Sequence, residues 1–156
     1  MVDNPNRAKP QLWFGPSPNV ATSHLICGIA QGKIRATFRM GVRDASHEKG
    51  YAEGEHVLLQ VVQNNRVMTD PRWGVITKLT PRRLGQFSDE EVALTNFYRT
   101  WEEVAQDLSF FDGHTVSGDT EVTLVEFDYS SARDQVDPDG ARWAYANSRL
   151  PIFVAC

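Results

Sequence analysis

The ten residues from Gln31 to Met40, QGKIRATFRM, carry the clearest structural pattern of the chain. Their side chains alternate, with Lys33, Arg35, Thr37 and Arg39 between the apolar Ile34, Ala36, Phe38 and Met40. Because successive side chains of a β-strand point to opposite faces, the pattern predicts a strand over about residues 33–40 with one apolar and one basic face. Such a basic face either binds an anion or is simply solvated and paired with surface acids.

The segments on either side of this strand have equally readable patterns. Before it, SPNVATSHLICGIAQGK is typical of a helix that ends near Gly32. After a polar loop, HVLLQVVQ is a continuous run of Val and Leu, which favours a central buried strand. RWGVITKLTP predicts a further strand that pairs with it.

The second half of the chain combines two helices with a late strand. FSDEEVALTNFY and RTWEEVAQDLSFF each open on a capping-box pattern, Ser88 with Glu91 and Thr100 with Glu103. TEVTLVEFDY is rich in β-branched and aromatic residues, which indicates a strand, and RWAYANSRLPIFVAC could supply one or two last strands. The predicted strands outnumber the predicted helices, and the helices lie between strands in chain order. The expected fold is α+β, a small mixed β-barrel with helices between strands.

Length and composition predict a single soluble domain. The chain has 156 residues, 41% of them hydrophobic and 23% charged. No apolar run approaches the ~18 residues of a membrane span. Residues 1–10 are polar and lack the apolar core of a signal peptide, so they are expected to be a flexible lead-in and the protein to be cytoplasmic.

Cysteine and histidine usage gives no sign of a metal or cofactor site. Cys27 and Cys156 belong to no metal-binding spacing and are interpreted as free thiols. The four histidines are scattered and form no paired motif, so we expect no metal. No Gly-rich phosphate loop and no G-x-S-x-G motif occurs, and no cofactor is expected.

The charge of the chain is unevenly distributed. Residues 1–43 contain six Lys and Arg against a single Asp, a local charge of +5, which leaves −9 for the remainder to reach the total of −4. A protein that binds long nucleic-acid duplexes by bulk charge is basic throughout. The asymmetry instead favours a small anionic ligand or a short single-stranded segment at one basic patch.

The order of these motifs resembles the ASCH domain of the PUA-like superfamily. The pieces that match are GKIRATFR, YAEGEHVLLQV, the strand ending in ITKLTPRRLGQFSDEE, the helical WEEVAQDL and the strand TEVTLVEFDY. The similarity spans about residues 20–129, so residues 11–156 are expected to form one ASCH-like domain with 130–156 as a C-terminal extension. The resemblance implies a PUA-like β-barrel with a cleft beside the basic strand and suspected binding of RNA.

Some small members of this family look like amidohydrolases that deacylate acylated cytidine with a Thr, a Lys and a Glu. The corresponding candidates are Thr37 as nucleophile, Lys33 as its base and Glu91 as the acid, because a Thr hydroxyl reacts only when a neighbouring base takes its proton. The match is incomplete. The family lysine lies three residues before the Thr, whereas Lys33 lies four before Thr37, and the position of the family Glu falls on Leu94.

The function predicted first is a module that binds RNA or a nucleotide. The ligand-binding candidates, chosen for positive charge, hydrogen bonding or an aromatic face, are Lys33, Arg35, Thr37, Arg39, Trp73, Arg82 and Arg83. The alternatives are the amidohydrolase and a protein-interaction or regulatory domain that uses the acidic remainder. The oligomeric state is left open.

Overall fold

The computed structural model describes residues 11–68, residues 72–130 and Cys156. In chain order the elements are β1 Gln11–Phe14, α1 Thr22–Ala30, β2 Ala36–Met40, β3 His56–Gln63, β4 Arg66–Val67, β5 Arg72–Arg83, α2 Asp89–Ala93, α3 Trp101–Asp112 and β6 Glu121–Ser130. The predicted lead-in of residues 1–10 and the last strands predicted within 142–155 lie outside the described residues.

The strands form one mixed sheet, which confirms the α+β class. Their order is β1-β3-β5-β6-β2, with the short β4 beside β3. β1 runs parallel to β3, and the other neighbours are antiparallel. β5 and β6 pair over most of their length, with a bulge between Ile76 and Lys78 that re-aims β5.

The two edge strands of this sheet approach each other. Within the described ranges no strand pairing joins β1 to β2, so the ladder does not close into the barrel that the sequence predicts. In a flat sheet, four strand spacings would separate these edges by roughly 19 Å. Yet Arg39 Nη2 donates a hydrogen bond of 2.7 Å to the Trp13 carbonyl. The sheet is therefore strongly curled, and β1 and β2 face each other across an open seam.

The core lies inside this curled sheet. Val57, Leu59 and Val61 on β3 are each 0% exposed, which confirms that HVLLQVVQ is a central strand. Burying one such side chain stabilises the fold by about 1.5–3 kcal/mol. Ile29 of α1 and Val104 of α3 pack into the same cluster, so both helices bury a face in this core.

Both predicted capping boxes are present. Ser88 and Thr100 each accept a hydrogen bond from the backbone N–H three residues later, and the Glu91 and Glu103 side chains bond back. The helix α3 then ends at Gly113, whose φ of 77° only glycine adopts without strain.

The strand β2 is shorter than its sequence pattern predicts. It begins at Ala36 rather than near Lys33, because the chain leaves α1 through Gly32 at φ 68° and the Lys33 and Ile34 amides bond back to the Gly28 carbonyl. Lys33 and Arg35 are exposed, with the buried Ile34 between them, but both precede the strand. Within β2 the exposed face is not kept, because Thr37 is buried and Arg39 is half-buried.

The expectation of two free thiols is wrong. Cys27 of α1 and Cys156 form a disulfide, with their Cα atoms 5.2 Å apart. The two cysteines are separated by 129 positions in sequence, so no short spacing motif predicts the bond. Disulfides persist mainly in oxidising compartments, and the cytoplasmic location stays a prediction. No helix among the described residues is long and apolar enough to cross a membrane.

We expect the Cys27→Ser substitution to destabilise the protein by about 2–4 kcal/mol, because the disulfide removes loop entropy from the unfolded chain. In a protein of this size the loss lowers Tm by roughly 4–16 °C. Calorimetry of the oxidised protein, of the variant and of the reduced wild type would measure it, with Cys156→Ser as the matched partner. A variant that melts with the oxidised wild type, or two titratable thiols in the wild type, would refute the bond.

Candidate functional site

A cavity of about 330 Å³ opens at the seam between β1 and β2. Its walls come from β1, the loop that follows it, β2 and α3, and its polar lining includes Ser17, Thr37, Arg39, Arg43 and Tyr98. The volume lies at the small end of the range for ligand sites, about 300–1,000 Å³. It is large enough for one small planar group and its substituents but not for a folded polymer.

Arg39 is anchored across the mouth of this cavity. Its Nη1 donates to Thr37 Oγ1 at 2.9 Å and to the Phe38 carbonyl at 3.0 Å, while Nη2 reaches the Trp13 carbonyl. Its guanidinium carbon also lies 5.6 Å from the centre of the Phe14 ring. These contacts hold the side chain in place through neutral groups, none of which cancels its positive charge, and they use three of its five N–H donors, which leaves two.

Arg43 brings a second guanidinium to the same cavity. The chain turns at Gly41, where φ is 74°, and Thr123 Oγ1 holds the turn by accepting from the Arg43 amide at 2.9 Å. The Arg43 side chain donates to the Met40 carbonyl at 2.7 Å and to the Lys49 carbonyl at 3.3 Å. Partial burial lowers the pKa of Arg43 from its ordinary value; Tyr51 opposes this shift, and the Arg39 charge adds to it.

Neither guanidinium is neutralised within the described part of the chain. No carboxylate there lies within 4.0 Å of Arg39 or Arg43. The Asp112 carboxylate borders the cavity, but it lies 3.4 Å from His114 Nδ1. Two adjacent cations held by backbone carbonyls form an arrangement that favours an anion, because guanidinium forks match phosphate and carboxylate oxygens.

The proposed hydrolase residues are not brought together. Thr37 is 4% exposed and accepts from Arg39, whereas Lys33 is exposed and precedes the strand. No hydrogen bond joins Lys33 to Thr37 in the described ranges. Glu91 accepts both bonds of Arg82 Nη1, each 2.9 Å, in a cluster outside the cavity lining. The mechanism requires a base within hydrogen-bond reach of the Thr37 hydroxyl, and neither Lys33 nor Glu91 supplies one.

The Glu91 carboxylate has a structural environment. The Ser88 backbone N–H donates to it at 3.1 Å, and this bond, followed by the Arg82 guanidinium, lowers the pKa of Glu91. Arg82 also stacks over the Phe87 ring at 5.0 Å. Together these contacts fasten the start of α2 to β5.

The remaining predicted ligand contacts lie away from the cavity lining. Arg35 is exposed, with Nη1 3.9 Å from Asp128 Oδ1. Trp73 is only 5% exposed on β5, so neither face of its ring is open to a base. Arg83 is exposed at the end of β5, next to Arg82. Of the seven predicted ligand residues, the cavity collects Thr37 and Arg39.

Sequence reasoning missed a buried carboxylate beside the cavity. Asp107 is 0% exposed on α3 and accepts hydrogen bonds from Ser17 Oγ, from Tyr98 Oη at 2.8 Å, and from the Asn19 amide and side chain at 3.2 and 2.9 Å. One signal could have revealed it. Asp107 lies three residues after Val104, within the apolar stripe of α3, where an acid must find buried partners.

Aromatic side chains border the cavity on its outer side. Trp13 of β1 and Phe111 of α3 line it, although they are 45% and 55% exposed. The neighbouring Phe110, 60% exposed, is outside the lining. Exposed aromatic faces beside cations are the surfaces on which nucleobases stack.

Comparison with known proteins identifies the fold. No family model matches the sequence, and no curated protein matches it at a significant level. Among solved structures, one similar protein is EF3133 from Enterococcus faecalis V583, which is assigned to the DUF984 family model. It is 14% identical to this chain with a TM-score of 0.54, and the aligned region covers 78% of this chain and 80% of EF3133. An ASCH domain from Lactobacillus crispatus JV V101 is 15% identical with a TM-score of 0.50, covering 75% and 79%. The fold is therefore ASCH-like, as the sequence resemblance implied.

Proposed function

We propose that the protein binds a base-containing anion, either a nucleotide or the end of a short single-stranded RNA, in the cavity at the β1–β2 seam. The observation that carries this proposal is the pair of guanidiniums, Arg39 and Arg43, that line one cavity with no carboxylate partner in the described part of the chain. In this proposal the curled sheet acts as a PUA-like barrel whose open side is the binding cleft.

Each part of the cavity has a role in this proposal. The N–H donors of Arg39 and Arg43 that the backbone leaves unused bind phosphate oxygens, which gives short charge-assisted bonds. The base lies against the exposed ring of Phe111, and Trp13 closes the other end of the rim. Lys33 and Arg35, exposed just before β2, attract the flanking phosphates of a longer strand.

We expect the Phe111→Ala substitution to weaken binding of AMP, CMP and a short single-stranded oligoribonucleotide by roughly 5- to 150-fold. Base stacking on an aromatic ring contributes about 1–3 kcal/mol, and 1.4 kcal/mol corresponds to about tenfold in affinity. Isothermal titration calorimetry of the wild type and the variant measures the change. Phe110→Ala is the companion variant, because this ring is as exposed but does not line the cavity. Its ring centre lies 5.4 Å from that of Phe111, so we expect a loss of affinity that is clearly smaller than for Phe111→Ala.

The same titrations separate the proposal from its rivals. Equal losses in both Phe variants would indicate a general change of α3 rather than stacking. If the wild type binds none of these ligands, the proposal is refuted. Mass spectrometry of an acylated cytidine incubated with the protein tests the hydrolase alternative, and release of the acyl group would favour chemistry at Thr37 over simple binding.

A further inference from the structure

The buried Asp107 carboxylate determines where two protons of the cavity lie. Its Oδ2 atom meets both the Ser17 and the Tyr98 hydroxyl groups, and its Oδ1 atom meets both N–H donors of Asn19. A carboxylate can only accept hydrogen bonds, and each hydroxyl has a single proton to give. Both hydroxyl protons are therefore directed to Asp107.

What remains on these two hydroxyl oxygens is their lone pairs. Ser17 and Tyr98 both line the cavity. Burial, followed by the hydrogen bond to Asp107, raises the pKa of Tyr98 well above its ordinary value, so the phenol keeps its proton across the physiological range. Towards a ligand, Ser17 Oγ and Tyr98 Oη are thus acceptors only. They also lie close together, since both are bonded to the same Oδ2 atom.

We propose that Ser17 and Tyr98 select a ligand whose base carries an exocyclic amino group, as adenine, cytosine and guanine do. This inference rests on the proposed function and adds the chemical class of the base. An amino group has two N–H donors, which match the two acceptor oxygens. A base without that group shields both oxygens from water without giving them a donor, which costs free energy in the bound state.

The direct test compares nucleotides that differ only in the amino group. We expect AMP to bind roughly 5- to 150-fold more tightly than purine riboside 5′-monophosphate, the range expected for one or two buried acceptors left unpaired. CMP and its analogue lacking the 4-amino group should show the same ratio. Equal affinities within both pairs would overturn the inference while the proposed function stands. If neither nucleotide of either pair binds, both the inference and the proposed function are refuted.

The Asp107→Asn substitution reverses the proton pattern without changing the shape of the site. Because the two Asn19 donors still need an acceptor, the amide oxygen keeps the Oδ1 position and the amide nitrogen takes that of Oδ2. Its N–H groups then donate to Ser17 and Tyr98, whose own protons turn towards the cavity. We expect this variant to lose the preference for AMP and to favour IMP, whose base has a carbonyl at the same position.

Two further variants keep the test decisive if Asp107→Asn folds poorly. Ser17→Ala combined with Tyr98→Phe removes both acceptors and should bring the AMP ratio close to 1 by calorimetry. Arg39→Lys should weaken both nucleotides of a pair equally and leave the ratio unchanged. A preference for AMP that survives the loss of both hydroxyls would show that other groups recognise the amino group, and would refute the assignment.

Discussion

Replacing Arg39 and Arg43 together with Gln is expected to lower the affinity for AMP and CMP by roughly 10²- to 10⁴-fold. Each guanidinium contributes a charge-assisted hydrogen bond to phosphate of about 1.5–3 kcal/mol, and both face the same cavity. Glutamine keeps a polar side chain that can still donate to the surrounding carbonyls, so the loss reports mainly on charge. Isothermal titration calorimetry at constant ionic strength measures it.

The matched control is the double variant Arg35→Gln with Arg83→Gln. It removes the same formal charge, but both side chains are exposed and outside the cavity lining. Affinity for a mononucleotide should stay within about twofold of wild type, because exposed charges at a distance are screened by salt. A control that loses as much affinity as the Arg39 and Arg43 variant would show that general charge, rather than the cavity, attracts the ligand.

One effect of the Arg39 substitution on the fold must be separated from its effect on binding. Arg39 also bridges the seam to the Trp13 carbonyl at 2.7 Å, whereas Arg43 does not. The single variant Arg43→Gln therefore tests binding with the seam contact intact, and we expect it to cause about half of the free-energy loss. Circular dichroism melts of each variant show whether the curled sheet persists.

Removing the buried carboxylate with Asp107→Ala is expected to destabilise the protein by about 3–5 kcal/mol. The substitution leaves two hydroxyl groups and the Asn19 donors without their acceptor, and hydrogen bonds to a charged group are the costly ones to lose. The loop after β1 and the segment before α3 are both held through this side chain. Urea denaturation followed by circular dichroism measures the change in unfolding free energy.

Asp112→Ala provides the comparison on the same helix. Asp112 is exposed at the C-terminal end of α3, where a negative charge is unfavourable for the helix dipole. We expect a change within about 0.5 kcal/mol. If the two Asp variants unfold at the same urea concentration, the hydrogen bonds to Asp107 do not hold the loop as described.

The sequence predicted the elements well because their causes are local. The capping boxes at Ser88 and Thr100 act over three residues, and the run at 56–63 shows its burial in its own composition. The site was predicted only in part. Thr37 and Arg39 share a face of β2, but Arg43 enters the cavity through a turn held by Thr123, a contact that alternation within one strand cannot foresee.

The sequence alone therefore determined the α+β class, the central strand, the capped helices and the strand that carries Thr37 and Arg39. Tertiary structure alone decided the features that join distant residues, which are the β1–β2 seam, the Asp107 cluster and the Cys27–Cys156 bond. Ser17 and Asp107 are 90 positions apart in sequence, and the two cysteines are 129 positions apart. The physical reason is range. Propensity, capping and periodicity act within a few residues, whereas a cavity and its buried hydrogen bonds depend on how the whole sheet curls.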